Sequence, residues 1–366
     1  MGFTCGLVGL PNTGKSTIFG ALTRTKAQSG NYAFTTIEPN NGIVPVPDKR
    51  MDTITQYVKT KKVVLTTMEF IDIAGLIKGA SKGEGLGNKF LGHIREVDAI
   101  AHVVRCFEDS NIPHVSDIID PVSDISTINT ELMSADLESL DRRKTKIVKL
   151  ARSGDKEALM QMEVLNKLSE ALNQNQPARS ITDFNDEQKE YLKSLTLLSA
   201  KPVLYICNVM DPGDTENELV QKVKKIAKED GSSVVALAAK IEGEIMEIED
   251  PEERKMFMEE MGLTQTGLDL MISAGYGLLD LATYFTAGEQ ENRAWTIPRN
   301  ATAPQAAGVI HTDFEKGFIR AEVYSLEDLV KYESEGAIKD AGKLRVEGKE
   351  YVVKDGDIMH FRFNVK

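Results

Sequence analysis

The stretch Gly9-Leu10-Pro11-Asn12-Thr13-Gly14-Lys15-Ser16-Thr17 constrains this chain more than any other. It fits G-x-x-x-x-G-K-[ST], the spacing of a loop that wraps nucleotide phosphates. The apolar run Phe3–Val8 ahead of it reads as a buried strand, and Ser16–Leu22 behind it as the first turns of a helix. The two glycines let backbone N–H groups turn inward on phosphate oxygens, and the following helix aims its positive end at the same place. Lys15 is spaced to reach the β- and γ-phosphates, and the Ser16 hydroxyl to hold Mg²⁺.

At 366 residues the chain has room for two or three domains. Its net charge of −12 argues against general nucleic-acid affinity, although a local basic patch can survive such a balance. Cys5, Cys106 and Cys207 lie too far apart for a zinc site or a disulfide framework and read as reduced structural thiols. No apolar run reaches membrane-spanning length, and the N-terminus runs into a strand rather than a signal peptide, so a cytoplasmic protein is expected.

Further apolar runs at Asn41–Val46, Val63–Asp72, Ala99–Cys106, Pro202–Asn208 and Ser233–Ala238 read as strands. Their spacing by helical segments argues for a mostly parallel α/β sheet. The interval between the Ala99 and Pro202 strands is too long for one crossover. Leu132, Leu137, Leu140, Ile147 and Leu150, then Leu159, Met162, Leu165, Leu168 and Leu172, give two helical stripes. Ser153-Gly154-Asp155 separates them, with Asp155 as a cap, and Asn185 with Gln188 offers a capping box for a further helix. An antiparallel helical hairpin inserted at about 125–200 is expected. From Asp280 onward short strand-like pieces (Arg293–Thr296, Ala307–His311, Phe318–Val323) predict a small α+β domain, closed by a hairpin from Tyr351–Val353 to Ile358–Phe363.

Downstream residues narrow the chemistry. Asp72-Ile73-Ala74-Gly75 at a strand end has the D-x-x-G form of nucleotide switches. The Asp72 carboxylate is suited to the Mg²⁺ water shell, and the Gly75 N–H to the γ-phosphate. Thr35 or Thr36 is the natural second metal ligand, and spacing alone does not separate them. Leu76 stands where small GTPases carry the glutamine that orients the attacking water. Another polar group must do this, and His114 in the loop after the Ala99 strand is the candidate. Asn12 offers a second route, helping to hold a K⁺ ion in place of an arginine finger. After the fifth strand, Asn208-Val209-Met210-Asp211 keeps the asparagine and an acid of the guanine-reading N-K-x-D motif but puts valine in place of its lysine. Ala238-Ala239-Lys240 is similar to the S-A-K loop that completes such a base pocket.

Gly9–Thr17, Tyr32–Thr36 with Pro39-Asn40, Asp72–Gly75 and Gly83–Leu91 resemble the Obg-like group. The whole chain, including the insertion and His311–Glu322, resembles the YchF family of Obg-like ATPases. That resemblance implies a P-loop G domain over 1–260 interrupted by the coiled-coil hairpin, a β-grasp TGS domain over 281–364, preference for ATP over GTP, and association with ribosomes. It also implies Mg²⁺ at Ser16 and Thr36, phosphate contacts from Asn12, Thr13, Gly14, Lys15, Ser16 and Thr17, and base contacts from Asn208 and Val209. Asp211 departs from the family's usual glutamate.

The expected activity is Mg²⁺-dependent nucleotide hydrolysis that resets a switch, with Lys15, Asp72, Gly75 and His114 serving the chemistry. A GTP-specific switch is kept open by Asp211 and Lys240. An RNA- or ribosome-binding adaptor with nucleotide as a structural ligand is the other alternative. No DNA or membrane partner is expected, and the chain is expected to act as a monomer.

Overall fold

The computed structural model describes residues 3–28, 41–73, 86–115 and 118–364. In chain order these begin with β1 (Phe3–Val8), α1 (Lys15–Gln28), β2 (Asn41–Pro45), α2 (Lys49–Tyr57), β3 (Val63–Val64), β4 (Thr67–Asp72), α3 (Leu86–Glu96) and β5 (Ala99–Arg105). The middle of the chain forms α4 (Pro121–Arg152), α5 (Lys156–Asn173), α6 (Asp186–Leu195), β6 (Val203–Asn208), α7 (Glu218–Asp230), β7 (Ser233–Leu237), α8 (Ala239–Glu247), α9 (Pro251–Glu260) and α10 (Gly267–Leu278). The C-terminal part contributes β8 (Leu281–Thr286), β9 (Asn292–Pro298), α11 (Ala303–Ile310), α12 (Thr312–Lys316) and β10 (Phe318–Tyr324). It ends with α13 (Leu326–Tyr332), α14 (Glu335–Asp340), β11 (Arg345–Glu347) and β12 (Ile358–Phe363). Among these helices none is long and apolar enough to cross a membrane.

Two compact units result. The larger, Phe3–Val44 with Glu69–Leu278, carries a sheet ordered β2-β4-β1-β5-β6-β7. β1, β5, β6 and β7 run parallel, and β5 and β6 are buried at every position, as central strands covered on both faces must be. Ile94, Ile125, Ile128 and Val223 from α3, α4 and α7 close over Val104 and Tyr205 in one core. Cys5, Cys106 and Cys207 are buried and unbridged.

α4 is 32 residues long, about 48 Å. Asp120 caps it and Pro121 opens it, where a missing N–H costs nothing. Ile125, Ile128 and Leu132 belong to the sheet core, while Leu140 joins Val164, Leu165, Leu168 and Leu172 of α5 in a second core. The helices anticipated from the stripes are therefore present. Asp155 caps α5 through Ala158 N–H (2.8 Å), and the Asn185–Gln188 capping box is formed at α6. At the base of the insertion, Asp136 accepts both Leu198 and Ser199 N–H groups (2.8 Å each). Arg179 Nη2 donates to Asp230 (2.7 Å), Asn129 (3.1 Å) and Tyr205 Oη (3.1 Å), while the Tyr205 hydroxyl also reaches Asp230 (2.8 Å).

His102 packs beside Tyr205 with ring centroids 5.6 Å apart. Burial, reinforced by the Arg179 charge, pushes His102 down to about 3 from 6.5. The unfolded chain therefore binds a proton that the folded chain refuses between these values. Stability is full above about pH 6.5 and falls as pH drops toward 3. Replacing His102 by Gln should flatten that part of a urea-denaturation pH profile; an unchanged slope would place the proton uptake elsewhere.

The smaller unit joins Pro45–Met68 to Leu279–Lys366. The expectation over 1–260 is a first domain interrupted only by the helical insertion at about 125–200, whereas Pro45–Met68 groups with the C-terminal part. The single strand expected over Val63–Asp72 divides: β3 pairs with β9, while β4 lies between β2 and β1. The apolar pattern continues through Leu65, so sequence carries no mark of the change of sheet. The first unit also keeps α10, beyond the expected boundary. In the smaller unit the sheet order is β11-β10-β12-β8-β9-β3. Ala303, Ala306 and Ala307 of α11 pack against Tyr284, Phe318 and Met359, and Met51, Ile54, Leu329 and Ile338 against Phe285 and Ile358.

Two expectations are corrected here. Ala307–His311 ends a helix rather than forming a strand, because Thr302 and Gln305 make a capping box ahead of an alanine-rich run. Tyr351–Val353 does not pair with β12, whose neighbours are β10 and β8. Val352 bridges Thr302 instead, and Asp357 holds the intervening turn by accepting from Lys354 N–H (2.9 Å) and Tyr351 Oη (2.7 Å).

Candidate nucleotide-binding site

The carboxyl ends of β1, β4, β5, β6 and β7 deliver the site, where open parallel sheets receive ligands. A cleft of about 640 Å³ lies there, lined on one side by Gly9–Asn12 and Gly14–Thr17 and on the others by Phe107, Ile112, Asn208, Val209 and Lys240. Thr13 is buried behind the loop and donates its hydroxyl to Leu10 O (3.0 Å).

Both glycines of the motif are sterically required. A Cβ at Gly9 would come within 2.8 Å of Thr13 Oγ1 and of Val103 O. One at Gly14, where φ is +97°, would lie 2.1 Å from Asn208 Nδ2. α1 starts at Lys15, with Ile18 N–H returning to Gly14 O (3.0 Å), so the free N–H groups of its first turn face the cleft. Ile73 N–H donates to Leu7 O (3.1 Å), which brings Asp72 level with the loop, and Lys15 Nζ forms an ion pair with the Asp72 carboxylate.

Asn208 braces the site rather than presenting free amide groups to a base. Its Nδ2 donates to Thr13 O (2.9 Å), and its Oδ1 accepts from Ala239 N–H (3.0 Å). That second bond satisfies the start of α8, whose N-cap residue Ala238 has no side-chain acceptor. Val209 is buried, and its N–H donates to Leu237 O (2.9 Å). Asp211 is exposed at the start of a 3₁₀ turn and is not among the residues lining the cleft.

The wall after β5 was not anticipated. Arg105 is fully buried and donates to three backbone carbonyls, Phe107 (3.1 Å), Asp109 (3.1 Å) and Ile112 (3.0 Å). Its guanidinium stacks 4.6 Å over the Phe107 ring. The only signal in the sequence is an arginine closing a strand that is apolar apart from His102. Asn12, at φ +63°, donates Nδ2 to Pro113 O (3.0 Å). His114 does not line the cleft; its Nε2 lies 3.1 Å from Asp124 Oδ2 in the first turn of α4. Thr35, Thr36, Gly75 and Leu76 fall outside the described residues.

A family profile described as "50S ribosome-binding GTPase" matches residues 4–150, and the YchF-GTPase_C profile, described as a protein of unknown function, matches 281–364. The chain is 55% identical to the "Ribosome-binding ATPase YchF" of Bacillus subtilis (strain 168) and 54% identical to that of Escherichia coli O157:H7, each over 100% of both chains. The solved Schizosaccharomyces pombe YchF GTPase superposes with a TM-score of 0.88 at 38% identity, covering 98% of this chain and 97% of that one. A GTP-binding protein from Pyrococcus horikoshii shares the fold at TM-score 0.61 and 19% identity. A phosphate loop braced by the β6 asparagine, carried on a chain that matches these relatives from end to end, belongs to the YchF family of P-loop nucleoside triphosphatases.

Proposed function

We propose that this chain hydrolyses ATP, and GTP less well, in a Mg²⁺-dependent step that resets a conformational switch on ribosomes in the cytoplasm. One observation carries the base preference: the wall after β6 offers Val209 where guanine readers place lysine, and Asp211 is exposed and does not line the cleft. The names of the relatives, ribosome-binding ATPases, support the same reading. Titration of the purified protein with labelled ATP and GTP in Mg²⁺ should show at least about tenfold preference for ATP, as expected when a site lacks the groups that pair with guanine. Preference for GTP would mean that Asp211 swings in to govern the pocket.

Ser16 and Asp72 supply hard oxygen donors beside the phosphate loop, a set that suits Mg²⁺. Among the described residues no cluster of three His, Cys, Asp or Glu side chains forms a closed cage, which fits an ion completed by water and nucleotide oxygens. Ser16 and Thr36 would hold the ion directly, with Asp72 on its water shell; bound there, it would neutralise charge on the phosphate oxygens. Lys15 exchanges Asp72 for the β- and γ-phosphates as nucleotide enters. The N–H groups of residues 13–17 orient those phosphates, and Gly75 N–H senses the terminal one. His114 supplies the water-positioning group that Leu76 lacks. Asn12 commits Nδ2 to Pro113 and keeps Oδ1 as the acceptor for K⁺. Equal turnover in Na⁺ and K⁺ would remove that ion from the mechanism.

The insertion offers the basic surface that an acidic chain needs to meet RNA. Arg142, Arg143, Lys144, Lys146, Lys149 and Arg152 crowd the end of α4 with no carboxylate among residues 142–152. Arg142, Arg143 and Lys146 line a groove of about 490 Å³ with Gln161 and Tyr191. Changing these three cations to Gln should weaken ribosome binding and reduce the slope of log K against log[salt] by about two to three, one phosphate contact per cation. An unaltered slope would move the contact elsewhere. An adaptor would bind ribosomes equally with ADP and with a non-hydrolysable ATP analogue, whereas a switch distinguishes them.

A further inference from the structure

The wall of the cleft after β5 is built around one side chain. Cys106 N–H donates to Asn208 O (2.8 Å) at the end of β6, and Pro113 O accepts from Asn12 of the phosphate loop (3.0 Å). Residues 107–112 are thus strung from the strand end that carries the base-reading motif to the loop that receives phosphates. Phe107, Asp109 and Ile112 of this stretch line the cleft. The carbonyls of the same three residues all accept from Arg105, at 3.0–3.1 Å. The guanidinium is fully buried and lies 4.6 Å from the centroid of the Phe107 ring.

Burying a guanidinium is unfavourable unless it is fully hydrogen-bonded, and an apolar side chain at the end of β5 would fill the same core without that penalty. An apolar side chain cannot gather three carbonyls. The stretch belongs to no helix or strand; its internal bonds run from the Asn111 and Ile112 N–H groups to Asp109 (2.8 and 3.2 Å). Ordering such a segment costs conformational entropy, which the charge-assisted bonds of Arg105 offset. Without them a ligand would have to order the wall as it binds, and its affinity would fall by the fraction of molecules in which the wall is formed.

We propose that Arg105 is a positioning residue for nucleotide, holding residues 107–112 in the form that receives the sugar and base once the phosphates occupy the loop; this rests on nucleotide occupying the cleft, and holds whichever base is preferred. Arg105 is buried and does not line the cleft, so it acts only through the wall. It governs affinity for nucleotide and leaves phosphoryl transfer to Lys15 and its neighbours.

Steady-state ATP hydrolysis and ADP binding by the full-length protein and by R105K test it. Lysine keeps the charge, but one ammonium on a flexible stem does not repeat a planar fork that serves three carbonyls and stacks on a ring. KM for ATP and Kd for ADP should both rise about tenfold or more, as the formed wall becomes a minor state. At saturating ATP, kcat should stay within about twofold of the unaltered protein. A variant that has only lost active molecules shows the opposite split, a lower kcat with KM unchanged, and that result overturns the proposal. So does a KM within about threefold of the unaltered value.

Hydrogen exchange in the unaltered protein tests the same role should R105K not fold. The Asn111 and Ile112 amides report the order of the wall, and Arg105 Nε–H, bonded to Phe107 O, reports its strut. ADP with Mg²⁺ should slow exchange at all three by about tenfold, through stabilisation of the formed state. Protection confined to the phosphate-loop amides, with these three unmoved, overturns the role of Arg105 and leaves the site in place. Protection at neither would place the nucleotide elsewhere, and the site and the role of Arg105 would fall together.

Discussion

Lys15→Ala is expected to cut ATP turnover by about a thousandfold, the loss that follows removal of a preorganised charge from a reacting oxyanion. The structure makes this side chain hard to replace. It leaves the first turn of α1, is 12% exposed, and forms an ion pair with Asp72. Truncation removes the cation and also leaves the Asp72 carboxylate facing the phosphates without a partner. ATP affinity should fall with the rate. Lys15→Arg should recover little of either, because a planar fork does not repeat the compact ammonium charge. Turnover within about tenfold of the unaltered protein would mean that the phosphates bind away from this loop.

The largest effect on stability is expected from Arg179→Ala, at about 3–5 kcal/mol by urea denaturation, because it breaks a buried ion pair from one side. The side chains of Arg179 and Asp230 are 6% and 8% exposed. The guanidinium also serves Asn129 on α4 and Tyr205 on β6, so the loss strands a buried carboxylate, an amide and a hydroxyl together. Replacing both partners, Arg179→Met with Asp230→Leu, should cost far less than either single change, since no charge is then left buried alone. A single-variant loss below about 1 kcal/mol would show that water reaches the cluster.

The phosphate loop was legible because its pattern lies in nine consecutive residues, even though the crowding at its glycines comes partly from distant Val103 and Asn208. Gly9 and Gly14 answer to contacts that only backbone can tolerate, and Lys15 opens the helix that follows. The caps at Asp155 and Asn185 were legible for the same reason: an orphan N–H and its acceptor lie within three residues. What escaped depends on pairing across the chain. β3 and β4 form one apolar run in sequence, and only the distant β9 distinguishes them. Asn208 matches a base-reading motif, yet both arms of its amide go to protein backbone, one of them to make good the uncapped start of α8. Asp211 keeps the letter of a guanine reader but is exposed at the start of a turn and does not line the cleft. Arg105 gave almost no sign of itself, since its partners are carbonyls that any sequence supplies.

α4 crosses from the sheet core to the hairpin core without a break, and this gives it the mechanics of a lever. Over a length of about 48 Å, a tilt of one degree displaces the far end by roughly 0.8 Å. Its short arm lies at Asp124, in contact with His114, and its long arm ends in the arginines and lysines near residue 150. A rigid rod of these proportions, pivoting near its short arm, would turn a shift of a few tenths of an ångström there into one several times larger near residue 150. The same ratio would run in reverse, a load at the far end arriving at the short arm as a small movement with high force.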